Sequence, residues 1–66
     1  MDLILIRKLR KGKGLSIGEL SIISEVSRFK IGRMENKGEG QYSEVVKVLS
    51  SLGYEIKVFA IAVQIV

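Results

Sequence analysis

The sequence predicts a mainly α fold, in which four short helices form a compact unit and a β-strand follows at the C-terminal end. Three observations support this prediction. Apolar residues recur three or four positions apart through much of residues 3–52, as they do on the inner face of a helix. Serines and glycines separate these segments, where helices start and stop. Six of the twelve residues 55–66 are β-branched Val or Ile, which favours a strand.

The first predicted helix covers about residues 2–11. Asp2 is a suitable N-cap, and the inner side carries Leu3, Ile6 and Leu9. The run Gly12-Lys13-Gly14 ends the helix, since glycine readily adopts the conformations found after a helix C-terminus.

The second predicted helix covers about residues 16–24. Ser16 and Glu19 form an S-x-x-E capping box at its start, in which each side chain satisfies a backbone N–H of the other residue. Leu20 and Ile23 form the apolar stripe that we expect to face the core.

The third predicted helix covers about residues 28–36 and follows after a tight turn. Val26 is the apolar residue of the turn, and Ser27 can cap the helix. Ile31 and Met34, three positions apart, face inward. The outer side is then left with four residues, Arg28, Phe29, Lys30 and Arg33.

The fourth predicted helix covers about residues 42–52, after a loop that contains Gly38 and Gly40. Its apolar residues have i, i+3, i+4 and i+7 spacing and are Val45, Val48, Leu49 and Leu52. Gly53 is a good residue to follow the helix end, and the apolar Tyr54 after it suits a Schellman closure.

These elements divide the chain into a helical domain, residues 1–53, and a C-terminal strand, residues 54–66. A single strand on a helical domain has unpaired N–H and C=O groups, and the same strand of a second copy is the simplest partner. We therefore expect a homodimer, with a tail packed on its own domain or a disordered end as the alternatives. The expected interface residues are Ile56, Val58, Phe59, Ile61, Val63 and Ile65.

Composition limits what can stabilise and bind this chain. A chain of 66 residues buries only about 60% of its unfolded surface on folding, and without Cys or His it has no disulfide or common zinc site. The net charge is +4, which favours an anionic partner. Of the eleven basic residues, five lie in residues 7–13 and four in residues 28–37. Together the two clusters favour nucleic-acid contact over a merely solvated surface.

Several function classes are disfavoured by the residues present. The seven acidic residues are scattered and the serines have no evident base, so we expect no enzyme, cofactor or metal site. The apolar run of residues 3–6 precedes basic residues, unlike an export signal. The longest apolar run, residues 58–63, is far below the ~20 residues that cross a bilayer. We therefore expect a cytoplasmic protein without membrane contact.

The capped helix pair matches a known pattern at nine positions, Leu15, Ser16, Glu19, Leu20, Val26, Ser27, Ile31, Arg33 and Glu35, and Leu52-Gly53 matches the end of the final helix. Residues 3–58 thereby resemble the Xre/Cro phage-repressor-like helix-turn-helix family. Three positions depart from it. Ile17 replaces a Gln that contacts phosphate and braces the recognition helix, and Glu25 replaces the turn glycine. Ser21 replaces the usual small residue after Leu20 and still fits between close helices. Glu25 must adopt a left-handed conformation or shift the turn.

The resemblance implies that the third helix reads the major groove of duplex DNA through Arg28, Phe29 and Arg33. Each arginine could bind a guanine O6/N7 edge, and Phe29 could pack on a thymine methyl. The alternatives for Phe29 are a core aromatic and an exposed ring without a DNA role.

Phosphate contacts are expected from lysines and from backbone N–H groups at the starts of the second and fourth helices. These residues are Lys13, Ser16, Ile17, Lys30, Lys37 and Gln41. Arg7, Lys8 and Lys11 are expected to be solvated. The resemblance also implies an internal ion pair between Arg10 and Glu35, in which Arg10 braces the recognition helix and does not touch DNA.

The sequence therefore predicts a dimeric, sequence-specific transcriptional repressor that reads a palindromic operator. The apolar strand after the fourth helix also resembles HipB-like antitoxins, which repress their own operon and bind a toxin protein. A third hypothesis is a protein-interaction module that has lost DNA binding, supported by Ile17 and Glu25.

Overall fold

The computed structural model describes residues 2–54, and this part of the chain folds as four α-helices without a strand. The helices are α1 (Leu5–Gly12), α2 (Ile17–Ser24), α3 (Arg28–Lys37) and α4 (Tyr42–Ser51). The predicted mainly α character and the number of helices are confirmed. Apart from Tyr54, the predicted C-terminal strand of residues 54–66 lies outside the described residues, as do all of its predicted dimer-interface residues.

The start of α1 differs from the prediction. The helix begins at Leu5 with Ile4 at the N-cap position, whereas the sequence pattern placed its start near residue 2. Asp2 instead stabilises a preceding turn, in which its Oδ1 accepts a hydrogen bond from Ile4 N at 3.1 Å. The Asp2 carbonyl also accepts from Leu5 N at 3.2 Å, an i→i+3 bond that is tighter than an α-helical turn.

α2 begins as the sequence predicts, but the side of the helix that is buried differs from the predicted one. Glu19 N donates to Ser16 Oγ at 3.0 Å and Ser16 N donates to Glu19 Oε1 at 2.8 Å, which confirms the capping box. Leu20 is buried, whereas Ile23 is 55% exposed, so the prediction that Ile23 faces the core is wrong. The helix turns Leu20 and Ser24 inward, four residues apart on one side.

The turn from α2 to α3 is short, and one of its residues has a strained backbone conformation. Glu25 has φ 60° and ψ 29°, a left-handed conformation that costs a residue with a Cβ atom roughly 1 kcal/mol. Ser24 supports the turn, since its buried Oγ accepts a hydrogen bond from Val26 N at 3.3 Å. Val26 is buried, as predicted. Of the two options that the sequence allowed, the chain adopts the left-handed one.

The core lies where α2 packs against α3 and α4 and where α1 packs against α3. α3 contributes Ile31 and Met34, as predicted, and Leu3 and Leu9 pack partly buried against the core. The buried apolar residues are Ile6, Leu20, Val26, Ile31, Met34, Val45, Val48, Leu49 and Leu52. All four predicted inward residues of α4 are among them.

Glycines occur at the C-terminal end of α4 and in the connection before it. Gly53 has φ 89° and Tyr54 N donates to Leu49 O at 2.8 Å, which confirms the predicted Schellman closure of α4. Gly40 passes so close to the core that an added Cβ would lie 3.0 Å from Met34 Cγ and 3.1 Å from Val45 Cγ2. This close approach holds the α3–α4 connection against the domain.

Within residues 2–54, none of the helices has the length and apolar composition that a transmembrane span requires.

Candidate nucleic-acid interface

The outer side of α3 is exposed and carries the predicted reading residues. Ser27 caps the helix, accepting a hydrogen bond from Lys30 N at 3.2 Å. Ile31, Met34 and Glu35 are buried. The exposed residues of α3 are Arg28, Phe29, Lys30, Arg33, Asn36 and Lys37. Because Phe29 is 71% exposed, the alternative that it is a core aromatic is wrong.

The exposed charges of α3 all have the same sign. Glu35 is the one acidic residue within Arg28–Lys37, and it is buried. The exposed charged residues are therefore four cations, Arg28, Lys30, Arg33 and Lys37. An exposed helix face of this composition attracts an anionic partner.

Glu35 is paired with Arg10, as predicted. Arg10 Nε lies 2.8 Å from Glu35 Oε2 and Arg10 Nη2 lies 3.0 Å from Oε1, so the guanidinium and the carboxylate meet in a two-pronged arrangement. Arg10 Nη1 also donates to Leu15 O at 2.9 Å. One arginine thus connects α1, the α1–α2 connection and α3, and it points into the domain rather than toward a ligand.

Arg7 extends this network, which the sequence analysis did not predict. Its Nε lies 3.4 Å from Glu35 Oε1, and its Nη2 donates to Asn36 Oδ1. Arg7 is exposed as expected, with its side chain 49% accessible, but it also pairs with Glu35. The available signal was its position three residues before Arg10, which places both guanidinium groups on one side of α1.

The pKa of Glu35 reflects burial and pairing together. Burial by itself raises the pKa of this carboxyl, but the hydrogen bonds and positive charges of Arg10 and Arg7 outweigh it, so the pKa lies below its ordinary value. The hydrogen bond to Glu35 raises the pKa of Arg10. The pair is therefore ionised at neutral pH.

Arg33 is held by two neighbours on the exposed side. Its Nη2 lies 2.6 Å from Glu39 Oε1, in the α3–α4 connection. Its guanidinium carbon lies 5.7 Å from the centroid of the Phe29 ring, one helical turn earlier, within the range of a cation–π contact. Phe29 and Arg33 thus form a single unit on the face predicted to read bases.

Lys30 is also paired, with an acid of α4. Its Nζ lies 2.7 Å from Glu44 Oε2, and the Glu44 side chain is only 18% exposed. Glu44 lies in the first turn of α4, where the helix dipole favours an anion. Neither ion pair was predicted from the sequence, although Glu39 and Glu44 are the only acidic residues between Glu35 and the end of α4.

Two of the predicted phosphate-binding residues, Lys30 and Lys37, are exposed on α3, and the other four lie outside it. Lys13 follows α1, and its Nζ would lie 3.5 Å from a Cβ atom added to Gly53. Ser16 uses its hydroxyl to cap α2, and Ile17 packs partly buried against the core. Gln41 is at the N-cap position of α4, where its side chain makes no capping hydrogen bond.

Arg28 lies against α2. The space that a Cβ at Gly18 would occupy is bounded by the Arg28 guanidinium, with Nη2 2.8 Å away. The reading face of α3 thus contacts α2 at Arg28 and the α4 side at Lys30 and Arg33.

Comparisons with protein-family models, with curated proteins and with solved structures give no match to this chain. The function proposed below therefore rests on the geometry of α3 and its neighbours.

Proposed function

We propose that this protein is a sequence-specific DNA-binding transcriptional regulator, a dimeric repressor that places α3 in the major groove. The observation that supports this most strongly is the charge arrangement of α3. Its four exposed charged residues are all basic, while its one acid is buried against Arg10. α2 and α3, joined by residues 25–27, then serve as a helix-turn-helix.

The dimensions of α3 suit this role. A helix of ten residues is about 15 Å long and, with side chains, about 10–12 Å across. The major groove of B-DNA is about 12 Å wide. The exposed cations at both ends of α3, Arg28 and Lys37, can then approach base edges and backbone.

Base reading is assigned to Arg28, Phe29 and Arg33. Each guanidinium presents the fork geometry that matches the O6 and N7 atoms of guanine. Phe29 is exposed and held by Arg33, which favours apolar contact with a thymine methyl over burial in the core. Arg33 Nη2 is paired with Glu39, so a guanine that binds this nitrogen replaces an existing ion pair.

Phosphate contacts are assigned to Lys13, Lys30, Lys37 and the backbone at the starts of α2 and α4, at Ser16, Ile17 and Gln41. Such contacts fix the position of the protein on the duplex without reading sequence.

A homodimer formed through residues 54–66 completes the proposal. Two copies of α3 related by a two-fold axis read a palindrome with half-sites about 34 Å apart or a multiple of that distance. The apolar composition of residues 58–66 supports this, since Phe59, Ile61, Val63 and Ile65 need an apolar partner. Removal of residues 59–66 is expected to yield a monomer that binds a palindrome far more weakly.

The proposal is tested by selecting bound sequences from random duplexes and measuring variants on the selected site. Arg28→Ala or Arg33→Ala is expected to weaken binding by ~1–3 kcal/mol and to relax preference at one base pair per half-site. Lys37→Ala is expected to weaken all duplexes about equally. Lys47→Ala, which removes an exposed charge from α4, is the matched control and should leave base preference unchanged.

A protein-binding role is the second candidate, either as the toxin-binding function of an antitoxin or as a module without DNA binding. It is favoured by two adjacent apolar residues on α2, Ile22 and Ile23, which are 77% and 55% exposed. An antitoxin would use this face together with α3, whereas a pure interaction module would use it alone. Apolar association responds weakly to salt, while DNA binding weakens steeply.

A further inference from the structure

Gly18 is a glycine inside a helix that has no conformational need for one. It is the second residue of α2, which has right-handed helical backbone there, and its φ lies outside the left-handed range. Glycine destabilises a helix interior relative to alanine, because it loses more backbone entropy on folding. What surrounds this position supplies a reason for a glycine there.

The nearest neighbour of Gly18 outside its own helix is the side chain of Arg28. A Cβ built on this residue would lie 2.8 Å from Arg28 Nη2, 3.0 Å from Arg28 Cζ and 3.2 Å from Arg28 Nε. These three nearest atoms all belong to the guanidinium plane. Arg28 therefore lies directly against the α2 backbone, in space that any other residue at position 18 would fill.

We propose that Gly18 is a positioning residue for DNA reading, because it lets the Arg28 guanidinium lie against α2 and thereby fixes the direction from which that group meets a base. This inference rests on the proposed function. A bidentate contact to guanine requires two N–H groups in the correct plane and direction. A guanidinium whose rotation is restricted on one side by the adjacent α2 backbone meets that requirement better than a freely rotating one.

The contact also predicts which group moves when a side chain is added at position 18. The groups that a Cβ would meet are the far end of a flexible arginine, not backbone or packed core. Gly18→Ala is therefore expected to move Arg28 and leave α2 intact. The substitution should then change DNA reading while the melting temperature holds or rises.

Gly12 provides a matched control. It is also helical, at the last position of α1, and a Cβ there would meet nothing within 4 Å. Gly12→Ala repeats the chemical change and the gain in helix propensity without touching Arg28. It should leave base preference unchanged.

The experiment measures binding of the full-length chain to the duplex selected by the unmodified protein and to single-base variants of that duplex. Gly18→Ala is expected to weaken binding to the selected site roughly 5- to 50-fold and to relax preference at the base pair that Arg28 reads. In an Arg28→Ala background the same substitution should have no further effect, because the group that it displaces is absent. Circular dichroism and thermal melts of every variant establish that the helices are retained.

Three results would overturn the inference while leaving the proposed function in place. Unchanged base preference in Gly18→Ala would show that Arg28 reads DNA without support from α2. An equal loss in the Arg28→Ala background would show that position 18 acts on DNA by itself. A large fall in melting temperature, not shared by Gly12→Ala, would show that the Cβ meets a rigid neighbour. Absence of any salt-dependent duplex binding by the unmodified chain would overturn the proposed function and this inference together.

Discussion

The Arg10 guanidinium donates two hydrogen bonds to the Glu35 carboxylate, from Nε to Oε2 at 2.8 Å and from Nη2 to Oε1 at 3.0 Å. The carboxylate is almost fully buried, with a side chain 2% exposed, and the arginine side chain is 12% exposed. This contact links α1 to the C-terminal half of α3. It fixes the angle of α3 against the domain, and so also the direction in which the four exposed cations of α3 point.

The first prediction concerns the energetic coupling of this pair. Arg10→Ala or Glu35→Ala alone should destabilise the protein by roughly 3 kcal/mol, because each deprives a largely buried charge of its two-pronged partner. The double substitution should cost clearly less than the sum of the two. Chemical denaturation of all four proteins provides the measurement. Strictly additive losses would contradict the coupling, and Lys47→Ala serves as an exposed control.

The second prediction concerns acid. Because the pKa of Glu35 in the folded state is below its ordinary value of 4.5, the unfolded chain binds this proton more readily. The stabilisation that ionised Glu35 gives the folded state is therefore complete when the pH is above the pKa of Glu35 in the unfolded chain. It is lost as the pH falls through the lower pKa of Glu35 in the folded state. Free energies of unfolding measured between about pH 7 and pH 3 should decline at the acid end.

Glu35→Gln identifies the carboxyl responsible for this decline. The variant should be less stable at neutral pH and lose less stability on acidification. Part of the decline should remain, because a hydrogen bond from the Ser16 backbone also lowers the pKa of Glu19. A Glu35→Gln protein with the same acid dependence as the unmodified chain would contradict this assignment.

The third prediction concerns the strained turn. Glu25→Gly should raise stability by about 0.5–1 kcal/mol, because glycine adopts φ near 60° without a Cβ clash. Glu25→Ala keeps the Cβ and removes the same charge, so it should give no such gain. Thermal melts of the two variants separate conformational strain from charge. Equal stability of the Gly and Ala variants would mean that strain at this residue is negligible.

The fourth prediction concerns competition between an acid and DNA for Lys30. Since Lys30 Nζ is paired with Glu44 at 2.7 Å, Glu44→Gln should free this cation for a phosphate. Affinity for DNA should then rise about two- to five-fold, and the slope of log K against log salt should steepen by about 0.9. Glu25→Gln, which changes the net charge equally at an acid without an ion pair among residues 2–54, should have a smaller effect.

Lys30→Gln tests the same competition from the other side. It should weaken DNA binding only slightly in the unmodified chain and more strongly in the Glu44→Gln background. An equal loss in the two backgrounds would show that Lys30 binds phosphate regardless of Glu44.

Local signals in the sequence predicted much of the fold. Ser16 with Glu19, Ser27, and Gly53 with Tyr54 all act as their types and spacing indicate, because capping depends on residues within one turn of each other. Apolar spacing also gave the buried residues of α3 and α4. The pairing of Arg10 with Glu35 required the family resemblance, since 25 positions separate the two residues.

The remaining features depend on tertiary contacts that local patterns do not encode. Ile23 is as apolar as Leu20, yet the rotation of α2 that buries Leu20 and Ser24 leaves Ile23 exposed. The pairing of Lys30 with Glu44 and of Arg33 with Glu39 depends on the path of the α3–α4 connection. The approach of Arg28 to Gly18 likewise depends on the packing of α3 against α2.

Duplex binding as a function of salt tests the central claim most directly. The full-length chain should bind its selected duplex with a log K that falls linearly with log salt between about 50 and 200 mM, with a slope of about −2 or steeper per bound chain. Binding to scrambled duplexes should be weaker, and Arg33→Ala should reduce that difference. An affinity for duplex DNA that depends neither on salt concentration nor on base sequence would contradict the assignment of α3 as a DNA-reading helix.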